Sequence, residues 1–194
     1  MLYLIIITTS ILFIAIANIL LTVFSAPAEI GTAILSVSVA ATAIFALDGI
    51  SALVIRRLTP EKWYAPSKKL FRVSKKERNF YKFIKIKSWK DHVPELGGFT
   101  SFHKDKLQST DDGEYLNRFI IEANYGVVIH LANAALGLLI AFIPICSSPT
   151  VWIPVFAVNL VLSLLPVAIL RYTGYTLQNL YDRTLNKKES KQSL

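Results

Sequence analysis

None of the 21 basic residues in this 194-residue chain precedes Arg56, and none lies between Arg118 and Arg171. The charge-poor stretches hold four apolar runs, roughly 2–24, 30–55, 119–145 and 150–170. About 20 consecutive apolar residues cross the ~30 Å hydrocarbon core of a bilayer as a helix, so each run is long enough to span. At 53% hydrophobic residues the chain also carries more apolar sequence than a soluble domain of this length can bury. In lipid only helices and closed barrels satisfy the backbone. The neighbouring Ile5, Ile6 and Ile7, which would suit a strand in water, are ordinary in a spanning helix. The expected fold is therefore an all-α integral membrane protein: four transmembrane helices, with a basic, aromatic-rich cytoplasmic loop between helices 2 and 3.

Lysine and arginine stay on the cytoplasmic side of bacterial spans. Sixteen of the basic residues fall in 56–118, and Arg171, Arg183, Lys187, Lys188 and Lys191 follow the last run. That bias predicts a multi-pass protein of the bacterial inner membrane with both termini cytoplasmic. It divides the chain into two N-terminal spans (1–55), an interfacial loop (56–117), a transmembrane hairpin (118–170) and a basic tail (171–194). The first run lacks a basic start and is too long for a typical signal core. The second, rich in Ala, Ser and Gly, is expected to face protein, because small residues let helix backbones approach closely. The outer face is reduced to "SAPAE" at 25–29 and the turn after Cys146, which excludes an extracellular binding domain. A lone cysteine forms no internal disulfide, and there is neither a metal-spaced Cys/His set nor a phosphate loop, so no metal is expected. A transporter is disfavoured by the lack of any inverted repeat.

The 56–117 loop is too long for a plain connection and too aromatic for disorder. Its Trp, Tyr and Phe residues alternate with lysines in the manner of a helix or short hairpin at an anionic membrane surface. The same mixture could stack on RNA, but no recognition motif accompanies it, and nucleic acid is not an expected partner. Within the loop, "SWKDHVPELGGF" is more particular than charge bias requires. Asp91, His92 and Glu95 can exchange protons, and a carboxylate beside a histidine is how a general base for a hydroxyl is assembled. Trp89 could stack on a sugar; a helix cap made by the acidic residues is the plainer reading.

Ionisable groups inside spans are costly and mark functional paths. "YLNRFIIEANYGVVIHLANAALG" sets Glu122 at the inner end of the third span and His130 eight residues deeper, about 12 Å along the helix and on roughly the same face. Asn133 continues that face. Asp48, near the inner end of the second span, could pair with His130, Arg56 or Arg57.

The order and spacing of "FYKFIKIKSWKDHVPELG", "FHKDKL", "FIIEANYGVVIH" and the "RY" after the fourth run resemble the bacterial glycosyl-4,4'-diaponeurosporenoate acyltransferase family over residues 68–182. The matching positions are Tyr81, Trp89, Lys90, Leu107, Glu122, His130, Arg171 and Tyr172. Between Glu122 and His130 the chain reads "ANYGVVI", without a second carboxylate, and Arg171-Tyr172 runs on into "TGYT" rather than an arginine-rich stretch. The resemblance implies a membrane enzyme that moves a fatty acyl group onto a sugar hydroxyl of a glycosylated carotenoid or related glycolipid at the inner leaflet. The resemblance and the residue chemistry together give the candidate site residues: His130, Glu122, His92 and Asp91 for catalysis. For substrate binding they are Trp89, Lys90, Tyr81, Glu95, Arg171, Tyr172 and Asp48. No cofactor is implied beyond the acyl donor as co-substrate; the partners are membrane lipids, the glycolipid acceptor and that donor. With no serine or cysteine nucleophile elbow in the chain, base-assisted direct transfer is expected, in a cleft closed by the polar loop folding onto the span ends. The contrasting class is a non-enzymatic lipid-binding or assembly protein whose basic loop docks anionic lipid or a cytoplasmic partner.

Overall fold

The structure, a computed structural model, describes residues 2–26, 29–90, 93 and 112–192. Among these there is no strand. Six α-helices follow one another: α1 (Leu2–Ser25), α2 (Ile30–Leu58), α3 (Lys75–Phe83), α4 (Ile86–Trp89), α5 (Gly113–Leu136) and α6 (Pro149–Gln192). Four stretches are long and apolar enough to cross a membrane: Ile5–Val23, Ile30–Leu58, Gly113–Phe142 and Pro149–Lys188. Between 17% and 33% of each apolar window is buried inside the protein, so most of that surface faces outward. Side chains such as Phe13 (74% exposed) and Phe142 (80%) would have no place on a water-soluble surface of this extent. The fold is that of a four-span helical membrane protein.

Helical geometry and apolar runs do not end together. The third span changes character beyond α5, continuing as 3-10 turns at Gly137–Phe142 and Pro144–Cys146. Pro144 disfavours helical geometry for the residue before it, and Ile143 is extended there at φ −80° and ψ 117°. At the other end, the basic segment after residue 170 belongs to the same helix as the fourth span, since α6 runs on to Gln192.

The chain forms two compact units, Met1–Val54 with Ile129–Leu165, and Ile55–Val128 with Pro166–Leu194. In the first, Ile14, Val37, Ala40, Ile140, Cys146, Val151 and Val155 form the core. The small-residue helix α2 buries Ser36, Val37, Ala40 and Ser51 and leaves Ile34, Leu35, Ile50 and Leu53 exposed, so it faces protein along one stripe and the outside along the other. Polar side chains tie the helices together, as they must where water cannot substitute. Asn18 Nδ2 donates to Thr150 O at 3.0 Å, and Thr150 Oγ1 donates back to Asn18 Oδ1 at 2.7 Å. Ser51 bonds Asn133, and Asn159 Nδ2 donates to Asn133 O at 3.0 Å.

Gly137 makes room for that last bond. A Cβ added there would run into Asn159 Nδ2 and lie 3.3 Å from both Asn159 Cγ and Phe156 Cδ2. Gly137→Ala is therefore expected to lower unfolding stability by ~2–4 kcal/mol, from overpacking plus a displaced buried hydrogen bond. Thermal unfolding in detergent measures it, and adding Asn159→Ala should recover part of the loss; simple additivity of the two would remove the steric explanation.

In the second unit, two clusters organise the ends of the long helices. Tyr64 and Phe71 pack with Ile121 and Tyr125; Leu116, Phe119, Ile120 and Leu177 form the other. The loop that leaves α2 is ordered by 3-10 turns at Glu61–Tyr64 and Lys69–Phe71. Helix α3 starts at a capping box: Ser74 Oγ accepts from the Glu77 backbone N–H at 3.1 Å. It ends at Phe83, and Lys85, in the left-handed conformation (φ 53°, ψ 40°), opens α4.

Candidate functional site

Among the described residues of the second unit the most buried charged side chain is Glu122, with 3% of it exposed. A carboxylate that deep is costly unless paired, and two arginines pair it. Arg56 Nη2, from the end of α2, lies 2.9 Å from Oε2, and Arg118 Nη2, one turn earlier on α5, lies 2.9 Å from Oε1. Arg118 reaches on to Glu61 Oε1 at 3.2 Å. Arg56 also sits over the Tyr125 ring, 5.4 Å from its centroid. That ring stacks on Tyr64 at 3.8 Å between centroids, and its hydroxyl donates to Thr59 O at 3.0 Å. Asn124 Nδ2 completes the cluster by donating to Tyr64 O at 2.8 Å. With both oxygens already accepting from guanidinium groups, Glu122 is built to fix Arg56 and Arg118 in place.

A second cluster joins α3 to α6. Arg171 forms a two-pronged pair with Glu77, Nε to Oε1 and Nη2 to Oε2, both at 2.7 Å, a geometry that fixes orientation as well as distance. Arg171 Nη1 donates to Phe71 O at 3.2 Å, and Tyr81 Oη donates to Glu77 Oε1 at 2.9 Å. Gln178, buried one to two turns further along α6, donates to Phe71 O at 2.9 Å and accepts from the Val73 N–H at 3.1 Å. Arg72 grips Asp182 through two bonds of 2.7 and 2.8 Å, and Arg78 lies 4.3 Å over the Tyr175 ring.

Burial alone would raise the Glu77 carboxyl. Hydrogen bonds from Arg171 and Tyr81, the charge of Arg171 and the Ser74 N–H outweigh it and hold Glu77 below the usual carboxylate range. Burial, and then the bond to Glu77, push the Tyr81 phenol up to about 12, so it remains a donor at physiological pH. The folded value of Glu77 is below its unfolded one. The stability it contributes is thus present above the ordinary glutamate pKa and lost as pH falls through the lowered value. Glu77→Gln is expected to unfold more easily than the parent at neutral pH, and the two are expected to converge as acid protonates the parent's Glu77. Melting curves across that range test this; a gap that persists undiminished in acid would show that the charge is not the cause.

Of the residues expected from the sequence, Tyr81 and Arg171 meet through Glu77, and Glu122 lies in the same unit. Trp89 is half-buried and donates from Nε1 to Ile84 O at 3.0 Å. Lys90 and Tyr172 are half-buried, the latter on α6 beside Arg171. His130 is half-buried on α5 and belongs to the first unit. Asp48 also lies there, on the wall of a cavity of about 50 Å³ lined by α1, α2 and α6. The cavity is mostly apolar, with Ser10 and Asn159 as its other polar residues. Arg56, one of the partners expected for Asp48, is engaged by Glu122. Asp91, His92 and Glu95 lie outside the described residues, as do His103 and Leu107.

Sequence reasoning did not single out Glu77, Arg118 or Gln178, and took Arg56 as part of the positive-inside bias and as a candidate partner of Asp48, not of Glu122. Two signals were available: Ser74-Lys75-Lys76-Glu77 is a capping box, and Arg118 stands four residues before Glu122, one helical turn away. The Arg56–Glu122 and Glu77–Arg171 pairs, 66 and 94 residues apart, leave no local signature.

Four helices long and apolar enough to span, three of which end in an ion-paired polar unit, define a multi-pass helical membrane protein. Within that class the chain belongs to the glycosyl-4,4'-diaponeurosporenoate acyltransferase (CrtO) family, whose model matches residues 60–183. The match takes in α3 to α5 and α6 as far as Arg183, and with them Glu77, Glu122, His130 and Arg171. Neither the curated proteins nor the solved structures provide a match to the chain.

Proposed function

We propose that this protein is a membrane acyltransferase that esterifies a sugar hydroxyl of a glycosylated carotenoid or related glycolipid at the inner leaflet, using an activated fatty acid as donor. The observation that carries the reading is family membership across residues 60–183, which contain the Glu77–Arg171 cluster, Glu122 with Arg118, and His130. The charge partition of the sequence supports a cytoplasmic placement of the loop and both termini.

In this reading His130 is the base, with His92, oriented by Asp91, as the second candidate. For a thioester donor the step balances simply. The imidazole takes the proton of the sugar hydroxyl while its oxygen attacks the acyl carbonyl carbon. The C–O bond of the new ester forms, the C–S bond breaks, and the leaving thiolate takes the proton back from the imidazolium. Glu122 acts through the arginines it holds rather than as a proton acceptor. Trp89, Lys90, Glu95 and Tyr172 are the proposed contacts to the sugar and headgroup, while Arg171, with Tyr81, sets the position of α3. The apolar cavity beside Asp48 offers alkyl groups a surface within the spans.

The test is chemical. Lipid extracts from cells expressing the chain, with a glycosylated isoprenoid acceptor present, should contain a glycolipid heavier by one acyl group than extracts from cells without it. Identical profiles under strong expression would defeat the acyltransferase reading and favour the lipid-docking one.

A further inference from the structure

Outside the four span-length stretches, the exposed large apolar side chains among the described residues are Trp63 (54%), Leu70 (81%), Phe80 (57%) and Phe83 (82%). The last two sit on α3, whose two sides do different things. Glu77 and Tyr81, at a spacing of four, turn inward to Arg171. Lys76, Phe80 and Phe83, at i, i+4 and i+7, form a stripe about a third of the way round the helix from that pair, and all three are exposed. Two phenylalanines this exposed on a nine-residue helix are an unfavourable surface in water.

The surrounding charge says what meets them. Residues 62–90 contain eleven lysines and arginines and a single acidic residue, Glu77, which is committed to Arg171. Arg72 is likewise spent on Asp182, and Arg78 on Tyr175. The side chains left outward are lysines, with Lys75, Lys76, Lys82, Lys85 and Lys87 all exposed around the two phenylalanines. Ammonium groups at the rim of an aromatic stripe match a layer of phosphate headgroups above acyl chains, and the bilayer is at hand, because α3 begins only 17 residues after α2 ends.

We propose that α3 is an in-plane membrane helix whose Phe80 and Phe83 enter the headgroup layer and whose lysines select an anionic leaflet. The inward face then has a second role. Seating α3 on the lipid surface holds Glu77 and Tyr81 where they clasp Arg171, so leaflet charge reaches the α6 cluster through nine residues. The proposal needs only that the chain is membrane-embedded, and stands apart from the acyltransferase reading.

Hydrogen exchange on the full chain in nanodiscs tests it. With phosphatidylglycerol added to phosphatidylcholine, amides of residues 75–83 are expected to exchange about tenfold more slowly than in phosphatidylcholine alone, while those of α5 stay unchanged. Phe80→Ser with Phe83→Ser, and separately Lys75→Gln with Lys76→Gln and Lys82→Gln, should each abolish the difference. Equal exchange in the two membranes overturns the anionic partner. Protection that survives the phenylalanine substitutions overturns the aromatic contact, since another segment of the chain or a second copy must then cover the stripe.

Discussion

Replacing His130 by alanine is expected to cut acyl transfer by about a hundredfold or more, the usual scale for losing a positioned proton acceptor. The protein should still insert and melt near the parent temperature, because the residue is half-buried rather than part of the packed core. The measurement is the initial rate of ester formation with purified protein, glycolipid acceptor and thioester donor, followed as a function of pH. The parent's rate should fall in acid and the variant's residual rate should not, as expected where a base must be unprotonated to act. His103→Ala, with no match to the family pattern, should leave the rate alone. Parent-like transfer by His130→Ala would move the base to His92, whose own replacement must then carry the loss.

The four spans were legible because the signal is additive. Twenty apolar residues in a row need no partner to declare themselves, and the family pattern carried by Glu122, His130, Arg171 and Tyr172 was legible for the same one-dimensional reason. That α2 faces protein holds for one stripe only: Ser36, Ala40 and Ser51 are buried, whereas Gly31 and Gly49 have open space beside them. Less legible were the element ends. Residues 171–192 read as a basic tail because charge marks the end of a span, yet nothing in "RYTGYTLQNLYDRTLNKK" stops a helix; charge limits what enters lipid, not how far backbone hydrogen bonding continues. Conversely, the third span read as one helix to residue 145, and Pro144 with the extended Ile143 broke it into 3-10 turns.

The polar clusters were the least legible because they are tertiary. Arg56 looked like one more cytoplasmic charge, and Glu77 like one acid among lysines. Only packing brings each to a partner far along the chain. Both pairs use arginine, whose planar fork can bind a carboxylate and lie over a ring at once, as Arg56 does between Glu122 and Tyr125. A lysine at either position would keep the topology signal and lose the geometry.

That distinction sets the size of the last expected effect. Arg56 is the bridge from α2 to α5, whereas Arg118 is on α5 itself, one turn from the acid. Arg56→Met should leave Glu122 almost fully buried without the guanidinium that ties it to α2 and should remove the cation over Tyr125. Breaking a buried pair from one side typically costs ~3–5 kcal/mol, and because Arg56 is about a third exposed the lower end is expected here. Arg118→Met should cost about 1 kcal/mol, since its head is half exposed and the pair is largely local to one helix. Glu122→Leu removes the costly charge itself and leaves two guanidinium groups that can turn to water. Combined with Arg56→Met it should therefore be more stable than Arg56→Met alone, a sign reversal that a double-mutant cycle reads directly. Unfolding in detergent, followed by helical signal, measures all four. Should Arg118→Met prove the more damaging, or the double variant fall below the single one, then Glu122 is not held mainly by Arg56, and the α2–α5 bridge is not what orders this unit.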